Sequence, residues 1–371
     1  MLKKLLLLLL LPTISYSQSL TVSVDNRTSG NRYTTFGLHQ HNVTFANNGI
    51  QFPGSGRQFG DYLSFATPAG YGHIGVIQNT ARGAQTYLLS TLGDTLSSFE
   101  TISVSYDDPS LALFPMRSGE VLLRNNIANF TLYEPLGTIK TSASSGSQSR
   151  GGESISEVAV DPRGITVVLY TPKIKRDGQV GSQAQLLDDN NATNSIFYSN
   201  NRYLKYAGVS DDGQFILLIT AREGRDDHVM VMDRFGNELT SISTDEDLVA
   251  GYFTESSSEL VIHSNRRAIV YKTLNGERVG STSFRAPLLL ARYFSADNTI
   301  VGLTASKVEN TEIYRDLQFH AINLQQREIA RRELGGAIGT SPNIPMKFVR
   351  VGTGRYRFLG ANKIINLRAT F

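Results

Sequence analysis

The sequence contains no cysteine and no tryptophan among its 371 residues. The lack of cysteine excludes disulfides, thiol catalysis, cysteine-ligated zinc and lipid attachment at a cysteine. Stability must therefore come from a buried core, and the length allows one large repeat domain or two ordinary domains.

An excess of charge of one sign is also nearly lacking. The formal net charge is +3, and it becomes +1 once Lys3 and Lys4 are left out. Because binding to nucleic acid needs a concentrated basic face, this balance predicts no nucleic-acid partner.

The one long apolar run lies at the N-terminus. Lys3 and Lys4 precede the apolar residues 5–11, and Ser15-Tyr16-Ser17 forms a small-x-small cleavage site. A spanning helix needs about 20 apolar residues, so the run indicates a cleaved signal rather than an anchor. We therefore predict a signal peptide at 1–18, no transmembrane segment, and export to the periplasm or the extracellular space, with a bacterial envelope favoured.

A recurring unit consists of an apolar strand, a tight turn at Gly or Asn, and a second strand. It occurs at 86–96, 129–139, 228–239 and 268–279. Period-2 alternation beside a residue that tolerates positive φ is typical of a β-hairpin. Recurrence at roughly 40 residues favours a β-propeller, in which each blade is a four-stranded meander.

A second repeat precedes these hairpins in the later part of the chain. Segments 157–171, 207–220, 251–264 and 291–304 each hold a strand, a polar turn and an almost continuously apolar strand. A strand that is buried on both faces has this composition, as the middle strands of stacked blades must.

The two ends of the chain supply the parts of one blade. Residues 345–371 contain three strands and residues 19–26 contain one. Their pairing would close the ring and remove the exposed edges that an open sheet must protect. The predicted fold is thus an all-β, single β-propeller over 19–371 with seven four-stranded blades, with six or eight as alternatives. Residues 27–58 fit no blade and are predicted to form an inserted hairpin or loop.

The segments VDPRGITVVLY at 160–170 and VSDDGQFILLI at 209–219 carry a polar turn followed by a buried strand. This pattern resembles the repeats of WD40-like propellers, and bacterial envelope propellers of the TolB-like and YVTN-repeat kind are similar. The resemblance implies an interaction platform for a protein partner. No functional residue can be carried over, because the pattern encodes a turn and a strand rather than a site.

Four residues stand out as candidates for a binding site. His39 and His41 stand at i and i+2, so on a strand they would share one face, and Asp188 and Asp189 begin the most calcium-like loop. No carboxylate completes a ligand set at the histidines, and no calcium-loop motif is present. These four residues are therefore candidates for binding only, and we predict no metal, no cofactor and no catalytic residue.

The leading hypothesis is a non-catalytic, monomeric exported propeller that binds a protein or another ligand. The alternative is a lactonase-like hydrolase, in which carboxylates or histidines from several blades would converge over the central channel. A lesser alternative is an outer-membrane β-barrel, suggested by the alternating apolar residues that end at Phe371. Glycosidase, sialidase and quinoprotein propellers are disfavoured because the chain lacks tryptophan.

Overall fold

A computed structural model describes residues 18–24, 34–38, 41–46, 49–60, 64–66, 73–81, 83–101, 110–144, 155–176, 178–187, 193–222, 226–310, 313–339, 346–359 and 364–371. These residues form strands, turns and one short 3-10 helix at Ser295–Asp297. The strands assemble into eight antiparallel four-stranded sheets, which we call blades 1 to 8.

The strands follow the chain order within each blade, except that the N-terminal strand belongs to the last blade. Blade 1 contains β2 (Thr34–Leu38), β3 (His41–Ala46), β4 (Gly49–Phe52) and β5 (Arg57–Phe59); blade 2 contains β6 (Ser64–Ala66), β7 (Ile74–Thr80), β8 (Gly83–Leu89) and β9 (Thr95–Thr101). Blade 3 contains β10 (Ala112–Pro115), β11 (Val121–Arg124), β12 (Asn129–Tyr133) and β13 (Ile139–Ser144); blade 4 contains β14 (Glu157–Val160), β15 (Val167–Arg176), β16 (Gln179–Leu187) and β17 (Thr193–Ser199). Blade 5 contains β18 (Tyr203–Val209), β19 (Phe215–Ala221), β20 (Asp227–Asp233) and β21 (Glu238–Thr244); blade 6 contains β22 (Leu248–Phe253), β23 (Glu259–Ser264), β24 (Arg267–Lys272) and β25 (Arg278–Ser283). Blade 7 contains β26 (Leu288–Phe294), β27 (Thr299–Asn310), β28 (Ile313–Asn323) and β29 (Glu328–Gly339); blade 8 contains β30 (Lys347–Gly352), β31 (Arg355–Leu359), β32 (Ile365–Thr370) and β1 (Ser19–Val24).

The sheets form a β-propeller, which confirms the predicted fold class. First strands of successive blades contact each other at the centre, as in the pairs β6 with β10, β14 with β18, β18 with β22, and β26 with β30. The apolar parts of second strands are buried between neighbouring blades; in β19, Ile216, Leu217, Leu218 and Ile219 are all inaccessible to solvent. Their continuous apolar sequence therefore reflects burial on both faces, as predicted.

The predicted number of seven blades is not confirmed, because the described strands make eight sheets. The additional sheet is blade 1, which lies within the segment predicted to be an inserted hairpin or loop. Val43, Ile50 and Phe52 of blade 1 pack against Ile74 and Leu89 of blade 2 in one apolar cluster. The strands of this blade have only three to six residues, and such short strands give a weak period-2 signal.

The N-terminal strand closes the ring. β1 pairs antiparallel with β32, from Ser19 opposite Thr370 to Val24 opposite Ile365. Leu20 is buried in the cluster that holds Phe319 of blade 7 and Phe358 of blade 8, and Val22 packs against the same cluster. Chain closure is thus stabilised by side-chain burial as well as by ladder hydrogen bonds.

Glycine in the hairpin between the third and fourth strands has two functions, best seen at Gly137. Its φ is +88°, and its N–H donates to the carbonyl of Glu134 to close the turn. A Cβ at this position would lie 2.5 Å from Cβ of Phe99 in the preceding blade. The left-handed backbone and the close approach both require glycine, so the turn also sets the spacing between blades.

His320 is a buried structural histidine in β28. Its side chain is 7% exposed, its Nε2 lies 2.9 Å from Oγ1 of Thr304, and its ring meets Phe284 edge to face at 5.1 Å. Burial, helped by the charge of Arg331, lowers the pKa of His320 to about 4. The folded protein therefore holds this imidazole neutral at pH values where an exposed histidine is protonated.

We expect stability to fall as the pH drops from 6.5 to 4. In this window the unfolded chain binds a proton at His320 and the folded chain does not, so this residue removes about 3 kcal/mol from the free energy of unfolding. Urea unfolding across this pH range measures the loss. His320→Gln, which cannot be protonated, should reduce the slope, and an unchanged slope in this variant would contradict the assignment.

Candidate functional site on the turn face

One end of the ring carries the turns that join first to second strands and third to fourth strands; we call it the turn face. In an antiparallel meander these two sets of turns lie at the same end of each blade. Three features share this face: a charged cluster at the mouth of the central channel, a set of exposed apolar turn residues, and a cleft between blades 6, 7 and 8.

The first feature, the mouth cluster, consists of Asp211, Glu255, Arg292 and Lys347. Asp211 and Glu255 occupy the turns after the first strands of blades 5 and 6, whereas Arg292 and Lys347 lie on the first strands of blades 7 and 8. Arg292 and Asp211 lie 3.9 Å apart, and Arg292, Asp211 and Glu255 all influence Lys347 electrostatically, although the four residues come from four consecutive blades.

Arg292 is fixed by an aromatic platform. Its guanidinium carbon lies 4.4 Å from the centroid of the Tyr252 ring, a cation–π arrangement. The Tyr252 hydroxyl accepts a hydrogen bond of 2.9 Å from the N–H of Tyr293, which holds the ring in place. Burial raises the pKa of the Tyr252 hydroxyl, so it stays neutral and keeps its acceptor geometry.

Within the mouth cluster, the repulsion of Lys347 by Arg292 exceeds its attraction to either carboxylate. Burial, followed by repulsion from Arg292, lowers the pKa of Lys347 to about 8, even though Asp211 and Glu255 oppose this effect. Burial in the concave mouth raises the pKa of Asp211, although half of its side-chain surface remains accessible. The cluster therefore disfavours the charged form of Lys347.

The second feature is an exposed apolar residue at the tip of the hairpin between third and fourth strands. Leu136 of blade 3 is 92% exposed, Phe235 of blade 5 is 67% exposed and Leu274 of blade 6 is 66% exposed. We call these three side chains the turn knobs. The turn itself needs glycine at Gly137, Gly236 or Gly276, but nothing in its geometry requires an apolar residue at the tip.

The third feature is a cleft of about 720 Å³ lined by the turn residues of blade 7 and by parts of blades 6 and 8. Asp297 in its wall accepts hydrogen bonds of 2.9 Å from Nε and from a terminal guanidinium nitrogen of Arg350. It also accepts hydrogen bonds from the Tyr356 hydroxyl at 2.9 Å and from the N–H of Gly354 at 3.4 Å. This carboxylate ties blade 7 to blade 8 beside the ring closure.

The residues that the sequence singled out are not among these features. His39, Asp188 and Asp189 lie outside the described residues, as do residues 1–17 of the predicted signal peptide. His41 begins β3, opposite Leu38. Binding at these four positions stays a prediction.

Two searches of the described residues gave negative findings. In the ranges given above, no group of three or more His, Asp or Glu side chains is arranged to hold a metal ion. Within the same ranges, no helix has the length and apolar character needed to cross a bilayer.

Comparison with known proteins supports the architecture. The chain resembles the crystal structure of BamB from Moraxella catarrhalis, with a TM-score of 0.50, 12% sequence identity, and coverage of 95% of this chain and 98% of that chain. In all, 1180 chains of solved structures match, so the architecture is a widely used one. At 12% identity this likeness shows the fold alone.

No protein-family model matches the chain. No curated protein matches it in sequence. The propeller that the repeat pattern predicted is thus confirmed, whereas the narrower resemblance to WD40-like, TolB-like and YVTN-repeat proteins stays a prediction.

Proposed function

We propose that this chain is an exported, non-catalytic β-propeller that binds a protein partner through its turn face, in the periplasm or outside the cell. The observation that carries the proposal is the set of turn knobs, Leu136, Phe235 and Leu274. These large apolar side chains lie in the turn between the third and fourth strands of three blades, and they are exposed instead of contributing to the core. An exposed apolar residue repeated in this turn of three blades supports an interaction surface along the turn face.

The residues beside the knobs favour a protein over a lipid surface. Of the charged residues in the three turns that carry the knobs, Glu134, Asp233 and Glu277 are acidic and Arg234 and Lys272 are basic, so basic residues are not in excess. A surface that binds anionic lipid would instead need an excess of basic residues. Apolar groups among charges of both signs match a folded protein partner with apolar pockets and polar neighbours.

The hydrolase alternative receives less support. It requires carboxylates or histidines that converge over the channel, and the mouth cluster does contain Asp211 and Glu255. Both carboxylates lie close to cations, however, and Arg292 is 3.9 Å from Asp211. This arrangement favours the binding of a charged group over general-base catalysis.

We expect the triple variant Leu136→Ser, Phe235→Ser and Leu274→Ser to lose partner binding while remaining folded. Each replaced side chain is at least 66% exposed, so the melting temperature should hardly change. The measurement is quantitative capture of envelope proteins on the immobilised chain, with every captured protein compared between wild type and variant.

A matched control replaces three exposed valines away from the turn face. Val180, Val249 and Val308 are 53%, 54% and 61% exposed, and they lie toward the opposite ends of their blades. The serine variant of these valines should retain the captured partner. Equal capture by both triple variants would show that the turn knobs do not form the binding surface.

A further inference from the structure

We propose that the cleft between blades 6, 7 and 8 binds an extended, uncharged peptide segment of the protein partner, a proposal that rests on the function given above. The cleft opens on the turn face, and the knob Leu274 lies in the turn that follows its lining residue Lys272. Knob and cleft therefore belong to one continuous surface.

The cleft lies where the turns of three consecutive blades meet. It is lined by Lys272 and Val279 of blade 6, by Ala296 and Gln326 of blade 7, and by Thr353 of blade 8, among others. Ala296, Gln326 and Thr353 are exposed, so the cleft is open along the turn face. Its volume of about 720 Å³ lies within the range of about 300–1,000 Å³ that ligand pockets have. The cleft is therefore accessible and large enough to hold a short peptide segment.

Contacts between the blades give the cleft a fixed shape. The N–H of Leu324 donates to the carbonyl of Asn298 at 2.9 Å, which joins the two turns of blade 7. The Leu324 side chain also reaches blade 6, where its Cδ1 lies 3.1 Å from the position that a Cβ would take at Gly280. On the other side, Asp297 ties blade 7 to blade 8. Because the cleft is preformed, little ordering of the protein opposes binding.

The charged groups of the cleft wall are already paired. Glu259 is 7% exposed on the side chain and accepts hydrogen bonds of 2.8 Å from Lys272 and 2.6 Å from Ser258. Asp297 is 6% exposed on the side chain and accepts two hydrogen bonds of 2.9 Å from Arg350. A charged ligand group would lose water here without gaining an unpaired partner. The lining residues that the structure describes therefore favour an uncharged ligand.

The hydrogen-bonding groups that remain are amides. Gln325 and Gln326 are exposed, and within the described ranges their side-chain amides make no hydrogen bond. The side-chain oxygen of Asn298 accepts a bond of 2.9 Å from the Tyr293 hydroxyl, which fixes this amide and leaves its nitrogen for a ligand. A side-chain amide offers a donor beside an acceptor, and a peptide group presents the complementary pair.

The turns of blades 6 and 7 place an apolar group and an amide at equivalent positions. Gly276 and Arg327 each stand four residues after the end of the third strand, and both have a left-handed backbone, with φ of +66° and +58°. Two residues earlier, blade 6 has the knob Leu274 and blade 7 has Gln325. A segment that crosses both turns meets an apolar contact and then a hydrogen-bonding one. An extended peptide, which offers side chains and main-chain amides in turn, fits this sequence of contacts.

The aromatic residues of the cleft favour a peptide over a carbohydrate. Tyr293 and Tyr356 are 5% and 1% exposed, so neither presents a ring face on which a sugar could stack. Phe371 packs against the apolar cluster of blades 7 and 8. Val279, which is 36% exposed, offers a small apolar contact of the kind that a peptide side chain needs.

The experiment selects peptides on the immobilised chain. A phage library that displays random dodecapeptides is panned, and the enriched peptides are synthesised with a fluorescent label so that fluorescence anisotropy gives their dissociation constants. Ala296→Trp fills the cleft. Ala81→Trp is the matched control, because Ala81 is also exposed and lies in the turn between β7 and β8, at the opposite end of its blade. Melting temperatures confirm that both variants are folded.

We expect the enriched peptides to carry no net charge and to bind at least tenfold more weakly to Ala296→Trp. The double variant Gln325→Ala with Gln326→Ala should weaken binding to a similar extent, whereas Ala81→Trp should change it less than twofold. Because no ion pair is formed, added salt should leave the affinity unchanged.

Two results would overturn the proposal. One is that no peptide is enriched relative to the Ala296→Trp chain, and binding of the neutral oligosaccharide maltohexaose in that case would assign the cleft to a carbohydrate. The other is an affinity that falls steeply as salt is added, which would show that charges recognise the peptide.

This test is separate from the test of the turn knobs. The variant Leu136→Ser with Phe235→Ser keeps the cleft, so it should bind the selected peptides as the wild type does. If the knob variants lose the captured partner and no peptide is enriched, the cleft proposal fails while the proposed function stands. If peptides bind in the cleft and the knob variants keep the partner, the turn knobs are not the binding surface.

Discussion

Removal of the N-terminal strand β1 is expected to destabilise the whole propeller. The deletion of residues 19–24 exposes the apolar cluster that buries Leu20 and packs against Val22, and it leaves β32 without an outer neighbour. Two apolar side chains and a six-residue ladder contribute about 3–5 kcal/mol to the free energy of unfolding. That is a large share of the 5–15 kcal/mol that is typical of a folded protein.

The measurement is urea unfolding of the deletion variant beside the unaltered domain. The free edge of β32 should also promote self-association, because its unpaired N–H and C=O groups can accept a strand from another chain. A synthetic peptide of sequence SLTVSVDN should restore stability by adding the missing strand in trans.

Single substitutions in β1 separate side-chain burial from strand pairing. Leu20 is buried and Thr21 points to solvent on the same strand. We therefore expect Leu20→Ala to cost about 2–3 kcal/mol and Thr21→Ala less than about 0.5 kcal/mol. If the deletion left the melting temperature unchanged, ring closure by β1 would not contribute to stability.

The seam could be predicted from sequence because both of its halves carry a strong signal. Apolar residues alternate with polar ones at Leu20 and Val22, and again at Ile365, Leu367 and Ala369. The C-terminal segment has three strands of a blade, and the N-terminal segment has the one that is missing. Period-2 alternation depends on one buried face, which both strands of the pair share. Counting strands was then enough to place the two ends together.

Blade 1 could not be predicted in the same way. Its strands are short, and apolar residues such as Val43 and Ile50 occur singly among polar ones. A strand of four residues contains only two positions for each face, so alternation cannot be distinguished from chance. Tertiary packing against Ile74 and Leu89 stabilises these strands, and the sequence gives no local sign of such packing.

The mouth cluster shows why local motifs fail on a propeller. Its members come from four blades, so no spacing along the chain connects them. In the aligned repeats, Gly208 and Tyr252 occupy the strand position that Arg292 occupies in blade 7, since each stands four residues after the leucine at which the strand pairing shifts. The residue type at this position differs in all three blades, so the repeat gives no sign of the cluster.

Replacement of Asp297 by alanine is expected to separate blade 7 from blade 8. The Asp297 side chain is 6% exposed and receives four hydrogen bonds, two of them from Arg350 and one from the Tyr356 hydroxyl. Burial alone would raise the pKa of Asp297, but these bonds hold it below its usual value. The ionised carboxylate is therefore part of the folded structure, and its contribution is lost as the pH falls through the lowered pKa.

The alanine variant leaves the Arg350 guanidinium and the Tyr356 hydroxyl without their acceptor, so we expect a loss of about 3–5 kcal/mol in the free energy of unfolding. The control is Lys307→Ala, which removes an ion pair with Asp316 whose side chains are 72% and 50% exposed and leaves the left-handed backbone at Asp316 unchanged. An exposed pair of that kind contributes less than about 1 kcal/mol. The measurement is urea unfolding at pH 7. Equal losses of unfolding free energy in the two variants would mean that Asp297 and Arg350 form an ordinary surface ion pair. A large loss at Asp297 alone would establish that a buried carboxylate, together with β1, holds the last two blades of the ring in place.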